Sequence, residues 1–542
     1  MYENLLAMFS ENYSVSYNQA ETRPVGSVPV QIQLSGSDHG PDALAPFQMI
    51  ISEISESISA ELSGTGTAEA TDVTHDSRQV REGTLFAAIK GATVDGHRFI
   101  PDVIRRGAVG IISEFDAPAD FEGTWLKVGD ARVALAKAAS LINDEPSHKL
   151  DLVGVTGTNG KTTTTYLCYA LAEAAGVKPA MLTTVEYRIG DQSEEAVRTT
   201  PEASDTNRFL RHAVDAGCGF AAMEASSQAI DLHRCDWLRF RVAIFTNLTQ
   251  DHLDYHGTME NYFDAKKKLL DGRLGEKPGS CIVNIDDEWG VKLAEELKAN
   301  GQRVVTLSQN PGGDSDLAAE NIEVSLLSGT SFTLKTRHGD RQIGSPLVGR
   351  PHVYNMLCAT AAALEIGYDL DSIVLGLANC VGAPGRFERV PHEGDFAVVV
   401  DYAHTDDALL NTLRTARQLT DGRIITVFGC GGDRDKTKRQ PMGRVAGEHS
   451  DVVIITSDNP RTEDPLKIIE EIEIGVKETG KPFRPISDRR LAITEAIREA
   501  RSGDVVIIAG KGHENYQVVG NEKFHFDDRE VAAEALKRLA DA

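Results

Sequence analysis

The sequence predicts an α/β protein with a small N-terminal domain followed by two domains built on parallel sheets. Three observations carry this. The chain has 542 residues, too many for one core, and length alone suggests three or four domains. Apolar strand-like runs alternate with helical segments through most of it. Finally, eight of those runs, in two groups, end in polar and reactive residues. In the first group "DLVGV" leads into "TGTNGKT", "FAAM" into "EASS", "VAIFTNL" into "TQDHLDYHG", and "CIVN" into "IDDE". In the second, "FAVVV" ends in "DYAH", "RIITVFG" in "CGGDRD", "DVVIIT" in "SDNPRTED", and "DVVIIA" in "GKGHENYQ". Open parallel sheets bind ligands at the carboxyl ends of their strands. Two α/β domains facing one active site are therefore expected.

Taken in order, residues 1–45 are rich in Ser, Asn, Gln, Gly and Pro without periodicity and read as a poorly ordered, mildly acidic tail. Residues 46–148 form the small α/β domain. In it Ile50, Ile51, Ile54, Ile58 and Leu62 share one helical face, "SGTGT" ends the helix, and 84–90 and 108–113 look like short strands. Residues 149–382 make the middle domain and 383–542 the C-terminal one.

Composition narrows the function. Hydrophobic and charged contents of 41% and 25% are ordinary for a globular protein. No apolar run reaches the ~20 residues of a membrane-spanning helix, and the N-terminus lacks a basic signal-peptide region. A cytoplasmic protein without membrane contact is expected. A net charge of −25 argues against nucleic-acid binding, although 433–444 (DRDKTKRQPMGR) is locally basic. The seven cysteines are scattered with no CxxC spacing, so reduced, mostly buried thiols are expected.

"GTNGKTT", residues 157–163, follows a strand and opens a helix. Gly157 and Gly160 let backbone N–H groups turn toward phosphate, with Thr158 and Asn159 between them. Lys161 adds charge, Thr162 offers a hydroxyl to Mg²⁺, and Thr163 lies in the anion-favouring first turn. Val155 stands where a standard P-loop has its first glycine. Glu224 in "MEASSQ" ends a strand, where a carboxylate could complete a Mg²⁺ shell or be only a solvated acid. "TQDHLDYHGTMENYFDAKKKLL" offers Asp251, His252, Asp254 and His256 without zinc spacing. A helix carrying Lys266 follows, with Lys267 and Lys268 on a solvated face. Asp401 can accept a ribose hydroxyl, and Arg434, followed by Lys436 and Lys438, is a candidate clamp for carboxylate or phosphate.

With these pieces in order, the chain resembles the Mur ligase family, the ATP-dependent amide-forming enzymes of peptidoglycan synthesis. The resemblance covers about residues 46–542. Its motifs are "GTNGKTT", "TTPE" (199–202), "MEASSQ", "NLTQDHLDYHGTMENYFDAK", "GAPGRFERV" (382–390), "DYAHTDDAL", "FGCGGDRD", "DNPRTEDP" (458–465) and "GKGHENYQ" (510–517). They look most like the third ligase of the pathway, which adds a diamino acid to UDP-N-acetylmuramoyl-L-alanyl-D-glutamate. The implied architecture is an N-terminal UDP-sugar-binding domain, a P-loop ATPase-like middle domain and a Rossmann-like C-terminal domain. The implied requirements are ATP and Mg²⁺, with small-molecule partners and a monomer as the working unit.

Residue roles follow by motif. Lys161 and Thr162 would hold ATP phosphates and Mg²⁺, with Glu224 and His252 as Mg²⁺ ligands. Lys266 matches the position carbamylated in this family (N6-carboxylysine). Asn355, Arg386 and Asp401 match contacts to adenine, phosphate and ribose. Ser77, Thr199, Thr200, Ser226 and Arg234 match the UDP-sugar-dipeptide site. Arg434, Asp458, Asn459, Pro460, Arg461, Gly510 and Glu514 match the amino-acid site. There Arg461 fits the far carboxylate of meso-diaminopimelate, which L-lysine and L-ornithine lack. The sequence departs from the family at Pro351 and His352, where Phe and Asn are usual, at Gln228 in place of His, and in "TDDAL" for "TPDAL". Folylpolyglutamate synthase, the later D-alanyl-D-alanine-adding ligase and an inactive nucleotide-binding regulator are the alternatives. The first two are not expected to carry "DNPRTE" with "GKGHE". The regulator would be expected to lose Lys161, Glu224, His252 or Lys266.

Overall fold

The computed structural model describes residues 48–91, 94–310, 314–326 and 328–541. The 1–45 segment lies outside the described residues. Among those described, three large sheets organise the chain.

The first sheet has five strands in the order Glu61–Ser63, Trp125–Lys127, Gly110–Ser113, Thr84–Ala87 and Asp72–Thr74. All neighbours run parallel except the Glu61–Ser63 edge. Helix Ala131–Ile142 starts where the Asp130 carboxylate accepts the N–H groups of Arg132 and Val133. It presses Ala131, Ala134, Leu135, Ala138 and Ile142 onto the sheet. The single helix expected to run through Leu62 is corrected: it spans Ile51–Ser57 only. Ser59 adopts a left-handed φ of 55°, which stops the helix. Leu62 then pairs with Leu126 across the edge of the sheet. Helical spacing of apolar residues persisted past the point where strand pairing offered the backbone better partners.

The second sheet has eleven strands. Its parallel centre runs Pro179–Leu182, Phe220–Glu224, Asp151–Thr156, Val242–Phe245, Ser280–Asn284, Val304–Ser308 and Leu317–Ser325. Strand alternation sends Val153 and Val155 to one core, beneath helices Lys161–Ala174 and Arg350–Ile366, and Leu152 to the other. The third sheet orders Glu388–Arg389, Ala397–Asp401, Val505–Ala509, Ile424–Phe428, Val452–Ile455 and Phe483–Pro485. Val399 and Ile507 face one of its cores, Val398 and Val506 the other. All eight strands read from the sequence are present, as parallel neighbours in these two sheets. No described helix is long and apolar enough to cross a membrane. The seven cysteines are all buried and free, as expected.

Two polar ties position the functional loops. Arg208, on helix Ala203–Asp215, donates to Asp72 Oδ1 at 3.1 Å, Val73 O at 3.3 Å and Gln79 Oε1 at 3.1 Å. This fixes the loop carrying Ser77 against the middle sheet. In the C-terminal sheet, Arg489 and Asp528 form a fully buried bidentate pair, both contacts 2.7 Å. Arg489 also donates to Ala509 O at 3.0 Å and Ser457 O at 3.4 Å, so it joins two strand ends from beneath. Removing one partner strands the other charge, which costs about 3–5 kcal/mol. Arg489→Met is therefore expected to speed hydrogen exchange of the 505–509 amides strongly, and Arg489→Met/Asp528→Leu to recover much of the loss. Unchanged exchange in the single variant would refute this.

Candidate active site

The loop after strand Asp151–Thr156 is shaped so that only glycine fits at two places. Gly157 has φ 141°, and a Cβ there would lie 1.9 Å from Thr246 Oγ1. Gly160 has φ 87°, and its Cβ would meet Asn355 Oδ1 at 2.3 Å. The next strand end braces the loop. Thr246 Oγ1 donates to Asn159 O at 2.6 Å, Asn159 N to Asn247 Oδ1 at 2.9 Å, and Thr158 N to Asn247 O at 3.0 Å. The loop thus delivers the N-terminus of helix Lys161–Ala174, with Thr162 and Thr163 in its first turn, as an anion-favouring end.

Two lysines converge here. Lys161 Nζ donates to Gly157 O at 3.0 Å and Thr158 O at 2.9 Å. Lys266 Nζ, on helix Met259–Asp271, donates to the same Gly157 O at 2.8 Å. Lys266 is 1% exposed. Burial first, and the Lys161 charge second, push its ammonium well below the usual lysine range. Burial also lowers Lys161, opposed by Glu224 and reinforced by Arg386. Lys267 and Lys268, expected on a solvated face, are instead paired with Glu296 at 2.5 Å and Asp231 at 2.8 Å. Only Lys266 points into the loop.

Glu224 ends its strand in register with Val155. Its Oε1 accepts Thr184 N at 2.8 Å, while Oε2 is buried with no partner. A buried carboxylate oxygen left open in this way suits a cation. His252 is half-exposed, takes a left-handed φ of 51°, and lies 3.5 Å from Asp251. His256 turns inward onto Ser227 Oγ at 2.9 Å. No group of three described His, Cys, Asp or Glu side chains could hold a metal.

On the other side of Glu224, Thr200 Oγ1 donates to Glu224 O at 2.8 Å and accepts Ser226 N at 3.1 Å. Thr199 meets Thr184 at 3.2 Å. Arg234 donates to Thr200 O at 3.1 Å and pairs with Glu202 at 2.7 Å. Thr199, Thr200, Ser226 and Arg234 therefore form one cluster. Ser77 stands apart, on the first sheet's loop, where its carbonyl accepts from Arg106.

The nucleotide residues divide. The Arg386 guanidinium lies over the Tyr402 ring at 4.6 Å, with Nε buried and unpartnered. Asp401 already accepts from Phe387 N at 2.7 Å, Ala403 N at 3.0 Å and Thr412 Oγ1 at 2.8 Å. Burial pushes its carboxyl up. Asn355 is buried behind the phosphate loop, 3.4 Å from Thr164 Oγ1. Its amide stands against Gly160.

The amino-acid residues gather at the ends of strands Val452–Ile455 and Val505–Ala509. Gly510 N donates to Asp401 O at 3.1 Å, joining this cluster to the nucleotide side. Asn459 is buried, donating to Glu514 Oε2 at 2.8 Å and accepting Val518 N at 2.9 Å. Its amide ties the loop after Val452–Ile455 to the one after Val505–Ala509. Arg461, next to Pro460, has a left-handed φ of 52° and donates to Gly432 O at 2.7 Å. Backbone strain of this kind costs about 1–3 kcal/mol and persists at functional loops. Asp458 Oδ2 lies beneath Gly510. Within the basic run, Lys436 pairs with Glu463 and Lys438 donates to His404 O. Arg434 alone of that run is exposed with no hydrogen bond or ion pair among the described residues.

The pattern described as "Mur ligase middle domain" matches residues 155–363, "Mur ligase, glutamate ligase domain" matches 385–512, and "Mur ligase family, catalytic domain" matches 69–142. The UDP-N-acetylmuramoyl-L-alanyl-D-glutamate--2,6-diaminopimelate ligase of Solibacter usitatus is 46% identical, over 86% of this chain and 94% of that protein. The chain belongs to the Mur ligase family. The ligase of the same name from Geobacter sulfurreducens is 44% identical over 87% of this chain and 95% of its own. A solved structure of a ligase of that name matches with TM-score 0.68 and 31% identity, covering 91% of this chain and 99% of its own. A Mycobacterium tuberculosis folylpolyglutamate synthase structure shares the fold, at TM-score 0.54 and 18% identity.

Membership sharpens the departures. His352 is buried, and burial lowers its imidazole to about 4, so it packs neutral beside Asn355, 3.5 Å from the amide. Pro351 sits in the first turn of helix Arg350–Ile366, where its missing N–H costs nothing. Gln228 lies on helix Ser227–Asp231 behind the Mur ligase cluster of Ser226 and Thr200. One residue that motif reading passed over is Lys511, whose buried ammonium reaches Asn459 Oδ1 and Glu514 Oε2, both at 3.2 Å. The only sequence signal for it was its place in "GKGHE".

Gly160→Ala is expected to fold but to lower ADP affinity at least ~100-fold, because the added Cβ displaces Asn355 and forces an unfavourable φ. Isothermal titration reads this. Retained affinity would show that the loop does not need this geometry.

Proposed function

We propose that this Mur ligase adds meso-diaminopimelate to the D-glutamyl side-chain carboxylate of UDP-N-acetylmuramoyl-L-alanyl-D-glutamate, with ATP as the energy source. The product is a peptidoglycan precursor, so the reaction serves cell-wall growth, shape and division. We place it in the cytoplasm with a monomer as the working unit. The observation that carries the choice of amino acid is the tie between Glu514 and Arg461: Asn459 donates to Glu514 Oε2 and accepts Val518 N, and Val518 O accepts Arg461 N. Arg461 uses one guanidinium nitrogen on Gly432 O, and Glu514 keeps Oε1 outside its internal bonds. A planar cation and an anion suit the far carboxylate and ammonium of the diacid, whereas L-lysine or L-ornithine would leave the arginine unpaired. The diaminopimelate ligases at 46% and 44% identity support the same reading.

The chemistry follows from charge. The D-glutamyl carboxylate attacks the γ-phosphorus of ATP, and ADP leaves. The acyl phosphate is then attacked by the amine; the tetrahedral intermediate loses phosphate and one proton, leaving the amide. The helix N-terminus at Thr162 and Thr163, with Lys161 and Arg386, neutralises phosphoryl charge. Thr199, Thr200, Ser226 and Arg234, with Ser77 at the far end, hold the dipeptide and sugar. Thr162, Glu224, His252 and carbamylated Lys266 would hold Mg²⁺, which supplies a positive centre for the transferring phosphoryl group. Carbamylation needs a neutral amine: RNH₂ and CO₂ give RNHCOO⁻ and a proton. The depressed basicity of Lys266 provides that amine.

Lys266→Ala is expected to lose at least ~100-fold in kcat and to regain part of it with added short carboxylates. Wild-type activity in that variant without bicarbonate would remove the carbamate from the mechanism. In a competition assay the wild type should prefer meso-diaminopimelate over L-lysine and L-ornithine by ~100-fold or more, and Arg461→Ala should lose most of this. Equal use of L-lysine by the wild type would overturn the substrate while leaving the ligase reading in place.

A further inference from the structure

Lys511 follows Gly510 on the loop after strand Val505–Ala509, and its side chain is 0% exposed. Its Nζ lies 3.2 Å from Asn459 Oδ1, 3.2 Å from Glu514 Oε2 and 3.7 Å from Asp458 Oδ1, with the Tyr516 ring centroid 5.5 Å away. An ammonium withdrawn from water is retained only where acceptors surround it. Here every acceptor belongs to one of the two loops assigned above to the amino acid.

We infer that Lys511 is the positioning residue for amino-acid selection, acting through Glu514 on one side and through Asn459 on Arg461 on the other; this rests on the ligase reading above. The Glu514 side follows from its hydrogen bonds. Lys511 and Asn459 Nδ2 both donate to Oε2, the latter at 2.8 Å, which fixes the carboxylate's rotation and leaves Oε1 outside these bonds. The Arg461 side is a continuous chain of bonds. Asn459 Oδ1 accepts Lys511 Nζ and, at 2.9 Å, Val518 N. Val518 O accepts Arg461 N at 3.1 Å, and Gly520 N donates to Arg461 O at 2.7 Å. The hairpin Tyr516–Val519 and Glu522–His525 thereby holds Arg461 in its left-handed conformation.

Charge agrees with this arrangement. Asp458 and Glu514 face one cation, Lys511, while Arg489 beneath them is matched by Asp528. Set against Asp458 and Glu514, Lys511 leaves one negative charge for a substrate ammonium, while Arg461 on the same loops is left for a carboxylate. Without Lys511 two carboxylates would repel across the loops, and both Glu514 and the Asn459–Val518–Arg461 chain would lose their common anchor.

The test uses full-length Lys511→Met and Lys511→Gln in steady-state assays with each substrate varied. The expected result is a rise of ~30-fold or more in KM for the diamino acid, with kcat falling less than ~3-fold and KM for ATP and the UDP-dipeptide within ~2-fold. Preference over L-lysine should shrink at least ~10-fold. An unchanged amino-acid KM in a folded variant, or parallel rises in all three KM values, would overturn the inference. If Lys511→Met does not fold, Lys511→Gln decides; if neither folds, Lys511 is a stability residue and the positioning role falls. A wild type that prefers another diamino acid removes the substrate assignment, and the Lys511 comparison is then made on that acid. A wild type that forms no amide with any amino acid removes the ligase reading itself.

Discussion

Lys161 and the buried Lys266 share one carbonyl oxygen, that of Gly157, and much of the site follows from that crowding. Burial lowers the basicity of both, and the Lys161 charge lowers that of Lys266 further. They stay together because the loop between them gives backbone acceptors and Glu224 stands opposite. Such a loop is under-supplied with negative charge. Phosphate oxygens, or a carbamate on Lys266, would relieve this, and the proposed chemistry brings both.

The sheets deliver these groups to one place. Glu224 pairs in register with Val155, and Phe245 with Thr156, so three strand ends in the middle sheet finish together. In the C-terminal sheet Asp401 pairs with Ala509, and Gly510 N bonds the Asp401 carbonyl. Left-handed backbone at His252, Phe387, Asp433 and Arg461 falls on the loops at these ends. Strain there is tolerated because the parallel strands behind are buried on both faces and cannot yield.

Charge is managed locally in a chain of net charge −25. Lys511, Arg489 and Arg439 are all buried cations, each matched to a carboxylate from another segment, Asp458, Asp528 and Glu463 respectively. Their partners come from loops far apart in sequence, so they cross-link the C-terminal sheet as a covalent bridge might in a protein with paired cysteines. The free cysteines take no part in this.

Through the family's motif the sequence singled out Lys266, and by itself it determined the α/β class, the eight strands of the two parallel sheets and the phosphate loop. Those are local matters: period-two burial, glycine where no side chain fits, and a polar residue at a strand end. It also carried the ordered motifs that indicate the family. The tertiary structure decided what local pattern could not. Ile51 and Leu62 share a helical spacing, yet Leu62 joins a strand because Leu126 offers pairing from across the sheet. Asn355 and Asn459 are both buried, Asn355 against Gly160 and Asn459 bonded to Glu514, which no local pattern announces. Lys511 drew no notice beside Glu514 because its three acceptors assemble only when two loops 52 residues apart meet. Burial and long-range pairing depend on what the rest of the chain brings to a position, and no local window of sequence contains that information.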